Sequence, residues 1–311
     1  MFAANSSSTR TVLVLGGTGL MGREVLAALA RRGAPARVMV RDPGKLAGRD
    51  GLDVRIGDLR DPASLRAAIA GVDVVFHISP HESDEVALTR GVIDACEAEG
   101  ARLVFAGVHV LAENPVAGWF NRTLFGLLLP RYRGKIAIGA MIERSAANPV
   151  ILAVSNFMQN DQLMLPTIRD GVFAHPCSPK GLNRADLRDL GDIAASILLD
   201  PTFPSGSYPV VGPRSLTGPE CARVWAEALG HPVRYLGDDD TALDAAIDRH
   251  VSGYRAEDFR SSMRKLRTLE WPTLPKDLAV TTRLLGRAPT DFTEFVRRVV
   301  AEQSARAPVR P

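Results

Sequence analysis

Cysteine is scarce in this chain of 311 residues, which contains three: Cys96, Cys177 and Cys221. They lie far apart, no CxxC pair occurs, and no histidine-rich segment accompanies them. An odd, unpaired set of cysteines argues against a disulfide framework and against a zinc site, and it is typical of a reducing compartment. We therefore expect no bound metal and a cytoplasmic location.

Long apolar runs and an excess of one charge are also missing. No run approaches the roughly 18–20 apolar residues of a membrane-spanning helix. Lys and Arg together number 38 against 35 Asp and Glu, and the basic residues are scattered along the chain. The electrostatic field of a chain with so small a net charge is too weak to favour nucleic acid or an anionic membrane as a partner. Residues 1–10 lack the apolar core of a signal peptide, so we expect a disordered tail there and another at 306–311.

What the chain does have is the composition of a globular protein, 46% hydrophobic and 23% charged. Its first half alternates strand and helix patterns. The strand patterns are short apolar runs of the kind found in central parallel strands. They occur at 11–15, 38–40, 54–56, 72–76, 103–105 and 150–154. A long connector at 112–130 interrupts the alternation.

The second half has a different pattern. Residues 156–188 are rich in Asn, Pro and Gly, and we expect them to be irregular. Asp189 is the expected N-cap of a helix at 190–199, and a late strand is expected at 208–211. A capping-box spacing at Thr217–Glu220 then precedes amphipathic helices that continue to about residue 302.

Together these patterns predict an α/β fold, a doubly wound parallel sheet with a smaller, helix-rich C-terminal lobe. We expect a nucleotide-binding domain over 11–155, to which residues 185–211 return. The remainder, 156–184 and 212–305, is expected to form a substrate-binding lobe.

A glycine-rich loop, Gly16-Gly17-Thr18-Gly19-Leu20-Met21-Gly22, follows the first strand and opens the first helix. Here the chain has to turn sharply, expose backbone N–H groups to a pyrophosphate and pack the helix closely on the sheet. Each task favours glycine, and the anion then lies at the positive end of the helix. In its strand–loop–helix context the motif predicts a Rossmann dinucleotide site at Gly16, Thr18, Gly19, Leu20, Met21 and Gly22.

The end of the second strand bears on which dinucleotide is bound. An acidic residue there accepts hydrogen bonds from the ribose of NADH, whereas an arginine accommodates the 2′-phosphate of NADPH. Arg41 follows the strand directly, and Lys45 reaches the same region. Asp42 argues for NADH, but its side chain suits the start of an Asp-Pro-Gly turn. We therefore favour NADPH over NADH.

Further cofactor contacts are expected where the third and fourth strands end. Asp58 and Leu59 follow the third strand on the adenine side, and the fourth strand exits through His77, Ile78 and Ser79. The alternatives are a turn cap for Asp58 and a packed strand-end residue for His77.

These residues resemble the NmrA-like family of atypical short-chain dehydrogenase/reductases. The resemblance rests on the glycine loop and on the motifs Val40–Pro43, Gly57–Leu59, Lys135, Asn156–Asn160, Asp189–Ala194 and Leu284–Pro289, and it spans about 11–305. It implies an NADPH-dependent reductase, with Asn156 and Phe157 as further cofactor contacts. The family also contains regulators that bind the dinucleotide without obvious turnover.

The catalytic set departs from that of ordinary short-chain reductases, which carry Tyr-x-x-x-Lys. Lys135 matches the lysine, but Arg131 occupies the tyrosine position and Tyr132 lies three residues before the lysine. Tyr132 shares a helix face with Lys135 if both are helical, so it remains a candidate proton donor. His109, just beyond the fifth strand, is another, since the ordinary pKa of histidine suits a proton donor.

The substrate is expected at the carboxyl ends of the strands, where ligands of open α/β folds bind. Phe157 and Met158 would present an apolar wall there, unless they are plain core, and His81 and Trp119 also follow strand ends. We expect reduction of a carbonyl, a quinone or an activated double bond in a small apolar substrate. The alternative is an NADP(H)-binding redox sensor with a protein partner. The sequence leaves a homodimer open.

Overall fold

A computed structural model describes residues 10–46, 51–80, 82–110, 123–124, 126–127, 132–249, 254–268 and 270–306. Its main feature is a seven-stranded parallel sheet with helices on its flanks, which confirms the predicted fold class. The strands of this sheet are β1 (Val12–Leu15), β2 (Ala36–Val40), β3 (Leu52–Ile56), β4 (Val74–Ile78), β5 (Arg102–Val108), β6 (Val150–Val154) and β10 (Gly206–Val210).

The strand order, β10-β6-β5-β4-β1-β2-β3, positions the site. From β1 the chain builds outward through β2 to β3, and it then returns to place β4 on the other side of β1. The connections leaving the carboxyl ends of β1 and β4 therefore diverge, and ligands of doubly wound sheets bind in the crevice that results. The glycine loop follows β1, so the topology places it at this crevice.

Helices alternate with the strands in the first half and dominate the second. They are α1 (Leu20–Arg31), α2 (Pro62–Ile69), α3 (Glu85–Glu99), α4 (Arg133–Glu143), α5 (Leu165–Arg169), α6 (Leu187–Leu199), α7 (Gly218–Leu229), α8 (Asp240–Asp248), α9 (Tyr254–Lys265), α10 (Pro275–Leu285) and α11 (Phe292–Arg306). No helix among the described ranges combines the length and the apolar character needed to span a membrane.

Local capping chemistry explains two helix starts. Asp61 caps α2 by accepting from the N–H of Ala63, with Pro62 in the first turn. Thr217 caps α7 in a complete capping box, because its side chain and that of Glu220 each accept from the other's backbone N–H. The start at Thr217 confirms the capping box that the sequence predicts.

By contact density the chain forms two compact units. The described residues of 1–108, 134–153 and 190–208 make up the first, and those of 109–133, 154–189 and 209–311 the second. The core of the first unit is apolar. Leu13, Val75 and Phe105 from the sheet pack there with Ile138 and Ile142 of α4, each at most 1% exposed.

The second unit corrects the expectation that residues 156–188 are irregular. They contain short strands, β7 (Asn156–Phe157), β8 (Val172–Phe173) and β9 (Leu182–Ala185), besides α5 and a 3-10 helix at Met158–Met164. β9 pairs with β7 and with β11 (Ser215–Leu216), while β8 pairs with β12 (Arg234–Tyr235). Strands of two to four residues carry too little periodicity to be read locally, since their partners in the fold define them.

The N-cap prediction at Asp189 is also wrong. Helix α6 begins at Leu187, and the side chain of Asp186 accepts from the N–H of Arg188. Asp189 lies in the first turn, buried, where it accepts from the backbone N–H and the hydroxyl of Thr290 and pairs with Arg287. Its role is therefore to anchor the segment before α11 rather than to start α6.

Candidate functional site

The glycine loop has the tight geometry that its sequence predicts. Gly16 has a φ of +77°, in the left-handed region that favours glycine. A Cβ on Gly22 would lie 2.2 Å from the carbonyl oxygen of Gly16, so only glycine fits at this point. A Cβ on Gly17 would meet Val38 at 2.6 Å and Leu26 at 2.9 Å. The loop thus holds the start of α1 hard against the sheet.

The first turn of α1 is open to an anion. Gly19 occupies the N-cap position without a side-chain hydrogen bond, and no acidic residue lies in the first turn. Gly19 and Leu20 are exposed, and Thr18 and Met21 are partly exposed. Uncapped N–H groups at the positive end of a twelve-residue helix suit a phosphate. The residues present therefore fit the diphosphate of a dinucleotide.

Gly22→Ala is expected to destabilise the protein by about 1–3 kcal/mol, because the new methyl overlaps the backbone of Gly16 and no rotamer change relieves the clash. Chemical unfolding measures this loss. Gly139→Ala is the matched control. It also lies within a helix, but a Cβ there meets nothing within 4 Å, so we expect no loss or a gain of up to about 1 kcal/mol. Equal unfolding free energies for the two variants would contradict the packing argument.

The segment after β2 presents two exposed cations. Arg41 and Lys45 are both exposed. Asp42 is engaged in the turn, because its Oδ1 accepts from the N–H of Gly44 at 2.9 Å and its carbonyl from that of Lys45 at 3.3 Å. The turn interpretation of Asp42 is confirmed, and the local charge left to meet a ligand is positive.

Asp58 is held in a local turn at the end of β3. Its Oδ1 accepts from the N–H of Arg60 at 3.0 Å, and its own N–H donates to the hydroxyl of Ser64 at 3.1 Å. The turn-cap role proposed as an alternative for Asp58 is therefore present. Leu59 is partly buried and packs against the core of the first unit. Cofactor contact by these two residues stays a prediction.

Lys135 is the centre of a polar cluster in the first unit. Its Nζ donates to the hydroxyl of Ser79 at 2.7 Å, to the Ser79 carbonyl at 3.1 Å and to the Pro80 carbonyl at 3.2 Å. Glu85 pairs with the same Nζ at 2.6 Å, and both side chains are only 10% exposed. The structure thus brings together Lys135 and Ser79, two residues that the sequence predicts for the site, at the end of β4.

Glu85 is a member of this cluster that the sequence analysis missed. It lies in the first turn of α3, where an acidic residue is unremarkable because it suits the helix dipole. Gly134 provides the missed signal. A Cβ there would lie 2.5 Å from Glu85 Oε1, so the glycine beside Lys135 is what lets the carboxylate approach the ammonium.

His77 is fully buried within β4. Its Nε2 lies 3.1 Å from the hydroxyl of Thr89, and its ring packs 5.7 Å from that of Phe105. Burial, reinforced by the positive charge of Lys135, lowers the pKa of His77 to about 3, so the ring is neutral at physiological pH. This is the packed strand-end residue that we gave as the alternative. Ile78, the last residue of β4, is partly exposed beside Gly16.

In the second unit both ring nitrogens of His109 are engaged. Trp271 donates its indole N–H to Nδ1 at 3.2 Å, and Nε2 lies 3.0 Å from Asp277 Oδ2. Because Nδ1 accepts, the ring proton is on Nε2 and points at the carboxylate. His109 would have to break one of these bonds before it could exchange a proton with a substrate, and its catalytic role stays a prediction.

The other predicted residues of the second unit differ in exposure. Tyr132 is partly buried and lies one residue before α4 begins. Asn156 and Phe157 are partly exposed, and Asn156 Oδ1 is buried without a hydrogen-bond partner among the described residues. Met158 is fully buried, as its core alternative requires. His81, Trp119 and the connector at 112–130, apart from residues 123–124 and 126–127, lie outside the described residues.

Comparison with known proteins identifies the family. The NmrA-like family matches residues 8–295. The chain is 29% identical over 292 residues to an NAD(P)H azoreductase of Xenophilus azovorans, covering 92% of this chain and 96% of that protein. It is 30% identical over 264 residues to a (4-alkanoyl-5-oxo-2,5-dihydrofuran-3-yl)methyl phosphate reductase of Streptomyces griseus, covering 83% and 87%.

Solved structures share the fold. An NADPH-dependent quinone oxidoreductase of Escherichia coli, complexed with NADPH, superposes with a TM-score of 0.73 at 20% identity, covering 93% of this chain and 99% of that one. A triphenylmethane reductase of Citrobacter sp., complexed with NADP(H), gives 0.71 at 19% identity with the same coverage. The sequence resemblance is confirmed, and the chain belongs to the NmrA-like family.

Proposed function

We propose that this protein is an NADPH-dependent oxidoreductase that reduces a carbonyl, a quinone or an activated double bond in a small apolar substrate. The observation that carries the proposal is the uncapped start of α1, held against Gly16 by a contact that only glycine allows. The relatives support it, since those compared above are named as NAD(P)H-dependent enzymes, as a reductase, or as complexes with NADPH.

In this proposal each predicted cofactor residue has a distinct task. The backbone at Thr18, Gly19, Leu20 and Met21 binds the diphosphate, and Arg41 with Lys45 binds the 2′-phosphate. The remaining contacts are with the adenine, the ribose and the nicotinamide, from Asp58, Leu59, His77, Ile78, Ser79, Lys135, Asn156 and Phe157. The cofactor domain is residues 11–155 with 185–211, and the substrate lobe is 156–184 with 212–305.

The chemistry that NADPH supplies when bound is transfer of a hydride from C4 of its nicotinamide. Lys135 orients the ribose by exchanging one of its present acceptors for a ribose hydroxyl. Tyr132, His109 or water supplies the proton, and His109 would first have to release one of the partners that its two ring nitrogens have. Phe157 provides an apolar surface for the substrate, joined by His81 and Trp119, while the burial of Met158 assigns it a supporting position.

A second candidate function, an NADP(H)-binding sensor with a regulatory protein partner and little turnover, is favoured by the engagement of His109 and by Arg131 at the tyrosine position. Purified protein should be titrated with NADPH and NADH and then assayed for NADPH oxidation with a panel of quinones, aldehydes and enones. Turnover supports the reductase. Tight NADPH binding without turnover across the panel would replace it with the sensor, and no affinity for either coenzyme would exclude both.

Arg41→Ala is expected to weaken NADPH binding by about 1–3 kcal/mol, roughly 5- to 150-fold in Kd, while NADH binding changes little. The reason is that the guanidinium meets a phosphate that NADH lacks. Fluorescence titration with both coenzymes measures the difference. Arg297→Ala, which removes an exposed guanidinium from α11, is the control and should leave both affinities unchanged. Equal losses for the two coenzymes in Arg41→Ala would contradict the phosphate assignment.

A further inference from the structure

The edge strand β3 exposes apolar side chains. β3 stands last in the sheet order, so within the described part of the chain β2 is its single strand neighbour. Ile56 is 70% exposed and Val54 37%, and both are among the few large apolar residues on the described surface. An open edge of this kind is a template on which another strand can add.

The backbone groups of β3 that point away from β2 can be identified from the ladder. Gly57 donates its N–H to the carbonyl of Val40 at 3.0 Å, and Val40 is in register with Ile56. Along a strand the direction of these groups alternates, so residues 53 and 55 bond toward β2. The N–H and C=O groups of Leu52, Val54 and Ile56 therefore point outward, three donors and three acceptors.

The sequence of β3, Leu-Asp-Val-Arg-Ile, complements itself in an antiparallel arrangement. With a two-fold axis at Val54, Leu52 of one copy lies opposite Ile56 of the other, and Val54 opposite Val54. All the outward backbone groups then pair, because the pairs 54–54 and 52–56 are hydrogen-bonded pairs. The apolar residues meet on one face of the extended sheet.

Charge complementarity selects this register. Asp53 of one copy lies opposite Arg55 of the other, twice about the axis. Within each copy Asp53 already pairs with Arg55 at 2.9 Å and with Arg37 at 2.8 Å, so these side chains lie on the same face. Sliding the strands by one hydrogen-bonded step would oppose Asp53 to Asp53 or Arg55 to Arg55, and a parallel in-register pairing would do the same. Like charges directly opposite are destabilising.

We propose that β3 is a homodimer interface, in which two copies of this chain pair antiparallel through Leu52–Ile56 about a two-fold axis at Val54. The parallel sheet continues from one copy into the next across this pair. The proposal is independent of the reductase function, since none of the residues that carry it holds the cofactor or the substrate.

Sedimentation velocity of the full chain across the micromolar range tests the proposal. Wild-type protein should sediment as a dimer. Val54→Lys and Val54→Glu should each sediment as monomers, because two like charges then face each other at the axis. An equimolar mixture of the two variants should recover the dimer, since lysine meets glutamate. Val86→Lys is the matched control, because Val86 is 39% exposed on α3, and it should stay dimeric.

A monomeric wild type would overturn the proposal, and so would dimers of both charged variants or loss of the dimer in Val86→Lys. Circular dichroism shows whether each variant is folded. If the charged variants do not fold, Val54→Cys tests the interface instead. A short bismaleimide cross-linker should join the two introduced thiols of a dimer. Hydrogen-bonded pairs hold their Cα atoms about 5.5 Å apart, and the natural cysteines are buried. Cross-linked dimer in Val54→Cys but not in Val86→Cys supports the interface, and its absence overturns it.

Discussion

Lys135→Met is expected to lower kcat for NADPH-dependent reduction by about 10²-fold, the order of loss when the reacting atoms are misplaced by about 1 Å. Methionine has about the length of lysine and fills similar space, but it carries no charge and no donor. The ammonium of Lys135 is fixed at the end of β4 by Ser79, Pro80 and Glu85. A ribose bound to it would be positioned equally firmly, and methionine removes that constraint.

A loss of stability accompanies this substitution and has to be separated from the chemistry. The substitution removes the ammonium that pairs with the buried carboxylate of Glu85 at 2.6 Å, and breaking a buried pair in this way costs about 3–5 kcal/mol. The double variant Lys135→Met/Glu85→Gln removes both charges. We expect it to recover much of the unfolding free energy while kcat stays low. If Lys135 has only a structural role, the unfolding free energy and kcat should recover together in the double variant.

Lys180→Met is the control for the loss of a lysine charge. Lys180 pairs with Glu270 on the surface, where it is 73% exposed, so its replacement should alter neither kcat nor stability measurably. Steady-state kinetics with the best substrate from the panel and chemical unfolding of all four proteins provide the comparison. Wild-type kcat in Lys135→Met would remove Lys135 from the proposed mechanism.

The sequence predicts well those features of the fold whose signals are local. Gly22 is required by one backbone contact, Asp42 by an Asp-Pro-Gly turn and Thr217 by a capping box, and each acts within a few residues of chain. Element boundaries are less accurate. The strand predicted at 72–76 is found at 74–78, which places His77 inside it and accounts for its burial.

The sequence predicts poorly whatever depends on residues far apart in the chain. Glu85 is fifty positions from Lys135, and its approach depends on the absence of a side chain at Gly134. The burial of Asp189 depends on Thr290 and Arg287, about a hundred residues later. No periodicity or motif connects such pairs, so side chains that look like ordinary caps or surface charges become anchors once the fold is formed.

A further anchor between residues separated in the chain is the buried ion pair Arg184–Asp161 in the second unit. Both side chains are fully buried, and Nη2 of Arg184 lies 2.5 Å from Oδ1 of Asp161. Trp225 donates its indole N–H to the other carboxylate oxygen at 3.1 Å. The guanidinium also lies 5.1 Å from the ring centroid of Phe292. Burial opposes the charge on Arg184, but Asp161 beside it more than offsets this, so the pKa of Arg184 lies above its usual value.

This pair links the 3-10 helix Met158–Met164, which directly follows Asn156 and Phe157, to β9 and α7. Asp161 belongs to the 3-10 helix, Arg184 to β9 and Trp225 to α7. Arg184 also donates to the carbonyl of Met158. Two residues proposed to line the nicotinamide site therefore depend on a charge pair that lies within the core of the second unit.

Arg184→Leu is expected to reduce the free energy of unfolding by about 3–5 kcal/mol, because it leaves the carboxylate of Asp161 buried with the indole N–H of Trp225 as its main remaining donor. Chemical denaturation measures the loss. Arg223→Leu, which breaks an exposed pair with Glu227 one turn apart on α7, is the control and should cost no more than about 0.5 kcal/mol.

The double variant Arg184→Leu/Asp161→Leu separates two free energies: the cost of burying a charge that has lost its partner, and the net contribution of the intact ion pair to stability. With both charges gone no ion is left buried, so the double variant should be more stable than Arg184→Leu even though it carries one more substitution. If the loss of unfolding free energy in the double variant equals the sum of the losses in Arg184→Leu and Asp161→Leu, the two side chains are not coupled and the anchor assignment is wrong. A destabilisation of Arg184→Leu as small as that of Arg223→Leu would lead to the same conclusion.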